Sequence, residues 1–264
     1  MYEPIILGII QGLTEWLPIS SQGQVMLVIL NFFKSMSVEQ ALQYSIWLHL
    51  GTASAATYYF KEDILQMIKT IPKDIKRKNS VTVFLLIATL ISGALGFFIY
   101  NFIKGFDSLN LNSLMALIGF FLIISGLLQL IAKNKSKIRN IKDLKPLDGI
   151  ILGLVQSFSI IPGISRSGIT TSFLLFRKFQ NHAALKLSYL MSIPVVIGAE
   201  VGMGMTENVN IDINSLLIAV ITSFVVGLLS LKFFMKIAQK VNFGIFCLVF
   251  GSLALIPLIL SLIL

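Results

Sequence analysis

The sequence predicts an all-α, polytopic membrane protein of about six spanning helices plus two re-entrant helix pairs in an inverted repeat, and three observations predict it. The first is solvent preference: 56% of the 264 residues are hydrophobic, 12% are charged and the mean hydropathy is +0.87, against roughly 25% charged residues in soluble domains. The second is that apolar stretches of about 20 residues, the length a helix needs to cross a bilayer, recur between short polar connectors. The third is that two further apolar stretches, 1–33 and 147–176, are each broken midway by Pro, Gly, Ser and amide or charged side chains.

The unbroken spans fall at about 40–60, 81–103, 112–132, 187–205, 215–235 and 243–263. No long hydrophilic stretch is left over for a soluble unit. The chain therefore reads as a single membrane domain over 1–264, with repeat 1 at about 1–132, a basic connector at 133–146 and repeat 2 at about 147–264. The first basic residue is Lys34, so the apolar N-terminus lacks the positive flank of a cleavable signal peptide and is expected to be retained. A single cysteine, Cys247, rules out a disulfide framework or a Cys-based metal site within one chain.

The net charge of +9 does not indicate nucleic acid, because no basic face is interleaved with aromatics and the positive charges collect in connectors. Lys61, Lys69, Lys73, Lys76, Arg77 and Lys78 crowd 61–78. Lys133, Lys135, Lys137, Arg139, Lys142 and Lys145 crowd 133–145, which places both segments on the cytoplasmic side. Arg177, Lys178 and Lys186, and then Lys236 and Lys240, belong with them, whereas 101–112 and 205–214 carry few positive charges and face outward.

Charge topology then orients the two breaks. Lys145 and Arg177 share a side although an apolar stretch long enough to span lies between them, so that stretch must enter and return; 1–33 does the same from the opposite face. The stretches also match in sequence: Gly8, Gln11, Ile19, Ser20 and Gly23 correspond without a gap to Gly153, Gln156, Ile164, Ser165 and Gly168, 145 positions on, with Pro18 and Pro162 one position out of register. Opposed orientation and ungapped identity indicate an inverted repeat whose breaks meet. Irregular backbone at membrane depth is tolerated only where it is buried in protein or lines an aqueous cavity.

In the second break, Ser165, Arg166 and Ser167 put a guanidinium between two hydroxyls on a Gly-flanked turn that opens a helix, with Thr170 one turn on. Helix N-terminal N–H groups, a forked Arg and hydroxyl donors suit an oxyanion such as phosphate. The alternative is an Arg that snorkels or pairs with a structural carboxylate; the cost of intramembrane Arg favours function. In the first break Gln11, Glu15, Ser20, Ser21, Gln22 and Gln24 cluster beside Pro18 and Gly23, with Gln11 and Glu15 one helical turn apart. Glu15 suits a general base, a ligand for Mg²⁺ or Ca²⁺, or the counter-ion of Arg166. Ser20 and Ser21 are weaker candidates, since Ser in a broken helix often only satisfies freed backbone groups. His49 is as readily a packing residue as a site residue, His182 is a solvated connector residue, and Glu200 sits toward the outer end of its span, where interfacial exposure explains it. No P-loop, dinucleotide glycine pattern or zinc motif is present, so no nucleotide or organic cofactor is expected.

These residues resemble the undecaprenyl-diphosphate phosphatases of the bacitracin-resistance type, an integral membrane family. The resemblance runs over nearly the whole chain: GIIQGLTEWLPISSQG at 8–23 and PGISRSGIT at 162–170, supported by HLGTASA at 49–55, SIPVVIGA at 192–199 and FVVGLLSLKF at 224–233. It implies removal of the terminal phosphate of a polyprenyl diphosphate, returning the monophosphate carrier for cell-envelope glycan export, at a site opening toward the outer face of the cell membrane. It also implies that Gln11 and Glu15 fill the paired acid or amide positions and that Ser21 is the nucleophile or a substrate ligand. Arg166 would hold the diphosphate with Ser165, Ser167 and Thr170, with Ser20 and Gln24 as further substrate contacts. A divalent cation, Mg²⁺ or Ca²⁺, is implied as cofactor; the partners implied are the lipid diphosphate and the membrane, with a homodimer admitted. One departure is plain: the family's first motif usually ends Ser-Ser-Thr-Gly-His, whereas here Gln22 replaces the Thr and Gln24 the His. Glutamine takes up no proton near neutral pH, so Glu15 is left as the expected base, and the sequence alone does not bring His49 into the site. Because inverted repeats around a midplane site are also a transporter architecture, a polyprenyl-phosphate flippase is the alternative expectation.

Overall fold

The computed structural model describes residues 2–33, 36–77, 80–103, 111–133, 138–161, 163–206, 212–237 and 243–263. Pro162, Lys34, Lys78, Lys240 and most of the two connectors expected to face outward lie outside them. Twelve α-helices run through the described residues: α1 Glu3–Thr14, α2 Ser21–Phe32, α3 Val38–Trp47, α4 His49–Tyr59, α5 Lys61–Arg77, α6 Val81–Ile103, α7 Leu111–Lys133, α8 Pro146–Ser157, α9 Arg166–Phe176, α10 Asn181–Thr206, α11 Ile213–Ile237 and α12 Phe243–Ile263. Four of them, α6, α7, α10 and α11, contain stretches long and apolar enough to cross a membrane, and the protein is a multi-pass, all-helical membrane protein. Side chains such as Leu90, Phe98 and Phe102 on α6 and Ile221 and Leu229 on α11 are exposed on the outer surface, as expected where the surrounding solvent is hydrocarbon.

Both broken stretches form paired short helices. Ser20 and Ser165, equivalent in the 145-residue register, are the N-caps of α2 and α9, and their hydroxyls accept from the Gly23 and Gly168 N–H groups at 3.3 and 3.1 Å. Gly8 on α1 and Gly153 on α8 are also equivalent, and each allows a close helix approach. An added Cβ would lie 2.5 Å from the Ala219 carbonyl oxygen of α11 in the first case and 2.9 Å from that of Ala88 on α6 in the second. Thus α1 packs on α11 and α8 on α6, while α7 pairs with α12 and α4 with α10. The two ends of 146–177 are tied together: Asp148, fully buried, receives Arg139 Nη2 at 2.6 Å and Arg177 Nε at 2.9 Å. Lys186 reaches Asp63 at 2.6 Å, which brings the starts of α5 and α10 to one end.

Two expectations change. The segment 40–60 is not one continuous helix but α3 and α4, broken at Leu48, because the His49 ring takes the Ser45 carbonyl at 2.8 Å and the Leu48 carbonyl accepts the Ser223 hydroxyl of α11 at 2.9 Å. The basic segment after it is a helix, α5, whose Leu65, Ile68 and Ile75 are exposed along one side and whose Lys69, Lys73 and Lys76 fall on another. At the break, α4 lies so close to α11 that a Cβ on Gly51 would stand 1.8 Å from Ser223 Oγ and 2.3 Å from the Val220 carbonyl oxygen. Gly51→Ala is therefore expected to destabilise the fold by about 1–3 kcal/mol, as overpacking typically does. The check is the melting temperature in detergent, and an unchanged value would show that α4 and α11 separate freely.

Candidate active site

The ends of α1 and the beginnings of α2 and α9 converge because the two turns interlock. Ser20 Oγ accepts from the Gly163 N–H at 3.2 Å, Ser167 Oγ donates to the Leu17 carbonyl at 3.0 Å, and Gln129 Nε2 of α7 donates to the Pro18 carbonyl at 3.0 Å. Gly163 holds φ +99°, and a Cβ there would meet the Ile118 carbonyl oxygen at 2.5 Å, so both conformation and space demand glycine. Ser20 itself sits at φ 58°, a left-handed conformation made tolerable by its two backbone donors.

This framework brings three of the sequence candidates to a fourth, the Glu15 carboxylate. Glu15 Oε1 accepts from Arg166 Nη2 at 2.5 Å, and Glu15 Oε2 accepts from Ser21 Oγ at 2.6 Å and Gln11 Nε2 at 2.9 Å. The fourth donor is one the sequence left open: His49 Nε2 lies 3.2 Å from Glu15 Oε2 and 3.4 Å from Ser21 Oγ, while its Nδ1 is fixed to the Ser45 carbonyl. The Arg166 and Glu15 side chains are only 11% and 4% exposed, so their attraction is little screened. Arg166 is further oriented by the Ser188 carbonyl on α10, 3.1 Å from Nη1.

A small cleft of about 30 Å³ is lined by Glu15, Ser21, Gln22, His49, Ser165 and Arg166 among others. It shares Gln22, His49, Ser159 and Arg166 with an adjoining cavity of about 380 Å³ between α6 and α10, whose wall is mostly apolar. Ser20, Ser165 and Ser167 line the small cleft, but their hydroxyls are engaged in the turns. Three other candidates stand behind it. Gln11 is fully buried and orients Glu15; Thr170 bonds the Arg166 carbonyl and the Ser188 hydroxyl, both at 2.7 Å; and Gln24 donates to the Ile19 carbonyl at 3.3 Å, stiffening the turn. Gln22, by contrast, keeps an Nε2 with no partner among the described residues and lines both spaces.

Glu200, expected to be exposed, is instead 4% exposed on the wall of the larger cavity, because α10 packs that side inward. His182 is exposed, as expected, but lies in the first turn of α10 and not in a connector. A signal for His49 existed in the HLGTASA run; for Glu200 the only signal was a carboxylate in an apolar span. Glu15 does not suit a metal in this arrangement, since its two oxygens already receive four donors, and no group of three or more His, Cys, Asp or Glu among the described residues is placed to hold an ion.

Known proteins extend the comparison. The chain is 42% identical over 264 residues to an undecaprenyl-diphosphatase of Methanococcoides burtonii, with 98% of each chain covered. It is 34% identical over 259 residues to one of Methanothrix thermoacetophila, covering 96% of this chain and 95% of the relative, and 30% identical over 260 residues to one of Methanopyrus kandleri, covering 97% and 95%. The family model described as bacitracin resistance protein BacA matches residues 4–254, so that Glu15, Ser21, His49 and Arg166 all lie within the match, and the chain belongs to that family.

Proposed function

We propose that the protein hydrolyses the terminal phosphate of undecaprenyl diphosphate, or a closely similar polyprenyl diphosphate, to give the monophosphate carrier. The observation that carries this reading is the single carboxylate, Glu15, ringed by Arg166, Ser21 and His49 in a cleft that opens into an apolar cavity. Relatives 30%, 34% and 42% identical bear the name of this activity. Arg166 and Gln22 Nε2 meet the diphosphate oxygens at the cleft, and the first isoprene units enter the larger cavity, whose volume falls in the usual range for a small-molecule site.

Ser21 Oγ is the nucleophile of this reading. Its proton passes to Glu15 Oε2, which it already faces, with His49 Nε2 beside the same oxygen to share the charge. Oγ bonds to the terminal phosphorus as the bond from that phosphorus to the bridging oxygen breaks. The lipid monophosphate leaves with the electron pair, and Arg166 offsets the charge developing on the phosphoryl oxygens. Water then attacks the phosphoserine, phosphate departs, and the proton returns from Glu15 to Ser21. A divalent cation, when bound, would supply neutralisation of the phosphate charge.

The domain is read as one inverted repeat, 1–132 and 147–264, with two re-entrant helix pairs. The exchange of packing partners, α1 on α11 against α8 on α6, supports this. So does the tie of Arg139 and Arg177 to Asp148, which holds both ends of 146–177 at one end of the molecule. With the basic connectors cytoplasmic, the site faces outward from the cell membrane. The test is phosphate release from purified protein and undecaprenyl diphosphate, with and without Mg²⁺ or Ca²⁺. No release, with labelled lipid phosphate moving across liposomes instead, would replace hydrolysis by transport. In the same assay His49→Gln is expected to lower kcat roughly 10²-fold, the lower range for an acid–base group, with KM little changed. Full activity would restrict His49 to packing.

A further inference from the structure

Glu200 is the carboxylate that the proposed hydrolysis does not use. It lies within the apolar α10, is 4% exposed, and neither of its oxygens has a hydrogen-bond partner among the described residues. On the same cavity wall, Gln156 of α8 is 1% exposed and gives its Nε2 to Ser92 Oγ at 3.1 Å, which leaves its Oε1 without a partner as well. The two residues that carry these three buried acceptor oxygens thus line the same 380 Å³ cavity as Arg166, His49 and Gln22.

A buried carboxylate without a partner is strongly disfavoured unless it is neutralised or paired. An isoprenoid chain offers it no donor, and a bare diphosphate repels it. A cation satisfies both sides. Mg²⁺ is characteristically held by one or two carboxylates together with substrate phosphates and waters, not by an all-protein cage, and no such cage is present among the described residues. Glu15, moreover, is already occupied by its four donors.

We propose that Glu200, with Gln156 Oε1, is the protein side of a divalent-cation site completed by the phosphate oxygens of the bound lipid diphosphate and by water. This rests on the reading that the diphosphate occupies the Arg166 cleft. Glu200 then supplies the charge balance that Gln11, an amide, cannot. The cation site is incomplete without substrate, so cation and diphosphate bind with positive coupling.

The test is Mn²⁺ binding to the full-length protein in detergent, followed by electron paramagnetic resonance, alone and with a non-hydrolysable methylene-bridged prenyl diphosphonate. Wild type is expected to bind Mn²⁺ at least tenfold more tightly with the analogue than without. Glu200→Gln should lose at least tenfold of that affinity, Glu200→Asp less, and Gln156→Leu several-fold, so a single variant that fails to fold leaves the others to decide. In phosphate release, Glu200→Gln should raise the Mg²⁺ concentration needed for half-maximal rate by a similar factor. Glutamine has the shape of a neutral carboxylic acid. Wild-type Mn²⁺ affinity in Glu200→Gln would therefore overturn the proposal and make Glu200 an uncharged packing group, with hydrolysis intact. Mn²⁺ binding that ignores the analogue overturns it too. A wild type that neither binds the analogue nor releases phosphate removes the hydrolase reading and this site together.

Discussion

Glu15→Gln is expected to lower phosphate release by about 10²–10⁴-fold, the range for a general base acting in the transition state. The substitution keeps shape and removes charge, and it acts at two places at once. The hydroxyl proton of Ser21 loses its acceptor 2.6 Å away, and Arg166 loses the anion 2.5 Å from Nη2. The second effect leaves a buried guanidinium unpaired, and breaking such a pair from one side typically costs about 3–5 kcal/mol of stability. The two effects separate experimentally: the first appears in kcat of properly folded, monodisperse protein, the second in the melting temperature. Lipid diphosphate, being anionic, should restore part of the lost melting temperature by pairing Arg166 in place of Glu15. Turnover within a few-fold of wild type would end the role of Glu15 as base and shift the proton to His49 Nε2, 3.4 Å from Ser21 Oγ.

Much of this site is legible in the sequence for a reason particular to membranes. Gln11, Glu15, Ser21 and Arg166 stand out because polar groups are costly in hydrocarbon, and they group because Pro and Gly break the helices where those groups occur. The 145-residue register carried further still, since the equivalent residues Ser20 and Ser165 turn out to be equivalent caps and Gly8 and Gly153 equivalent helix contacts. Depth along a span can be counted, but the direction a side chain faces cannot. His49, which opens α4 next to Leu48, faces Glu15, and the Leu48 carbonyl is held by Ser223 of α11, far away in sequence. Glu200 lies near the C-terminal end of α10, yet packing buries it on the cavity wall. Gln24, beside the motif serines, reads as a substrate contact, but its amide is used by the Ile19 carbonyl of its own turn. The departure at position 24 thus removes an imidazole from the motif, while His49 supplies one to the same carboxylate from another helix.

Arg166→Ala should reduce phosphate release by about 10³-fold or more. Removing one donor to a developing oxyanion costs roughly 10²–10³ in rate, about 2.7–4 kcal/mol, and Arg166 is in addition the only cation among the residues lining the small cleft whose charge is permanent. Arg166→Lys tests which property matters. An ammonium restores the charge but not the fork, and the fork is what lets Nη2 pair with Glu15 Oε1 while Nη1 is steered by the Ser188 carbonyl. Lys at this position must therefore choose between Glu15 and phosphate. It is expected to recover no more than about a tenth of wild-type kcat/KM, with most of the recovery in KM, because charge alone draws the diphosphate in whereas orientation of the scissile phosphoryl group acts on kcat. Recovery above half of wild type would mean that Arg166 serves as a point charge, and that orientation comes instead from the backbone N–H groups opening α9, the helix that Ser165 caps.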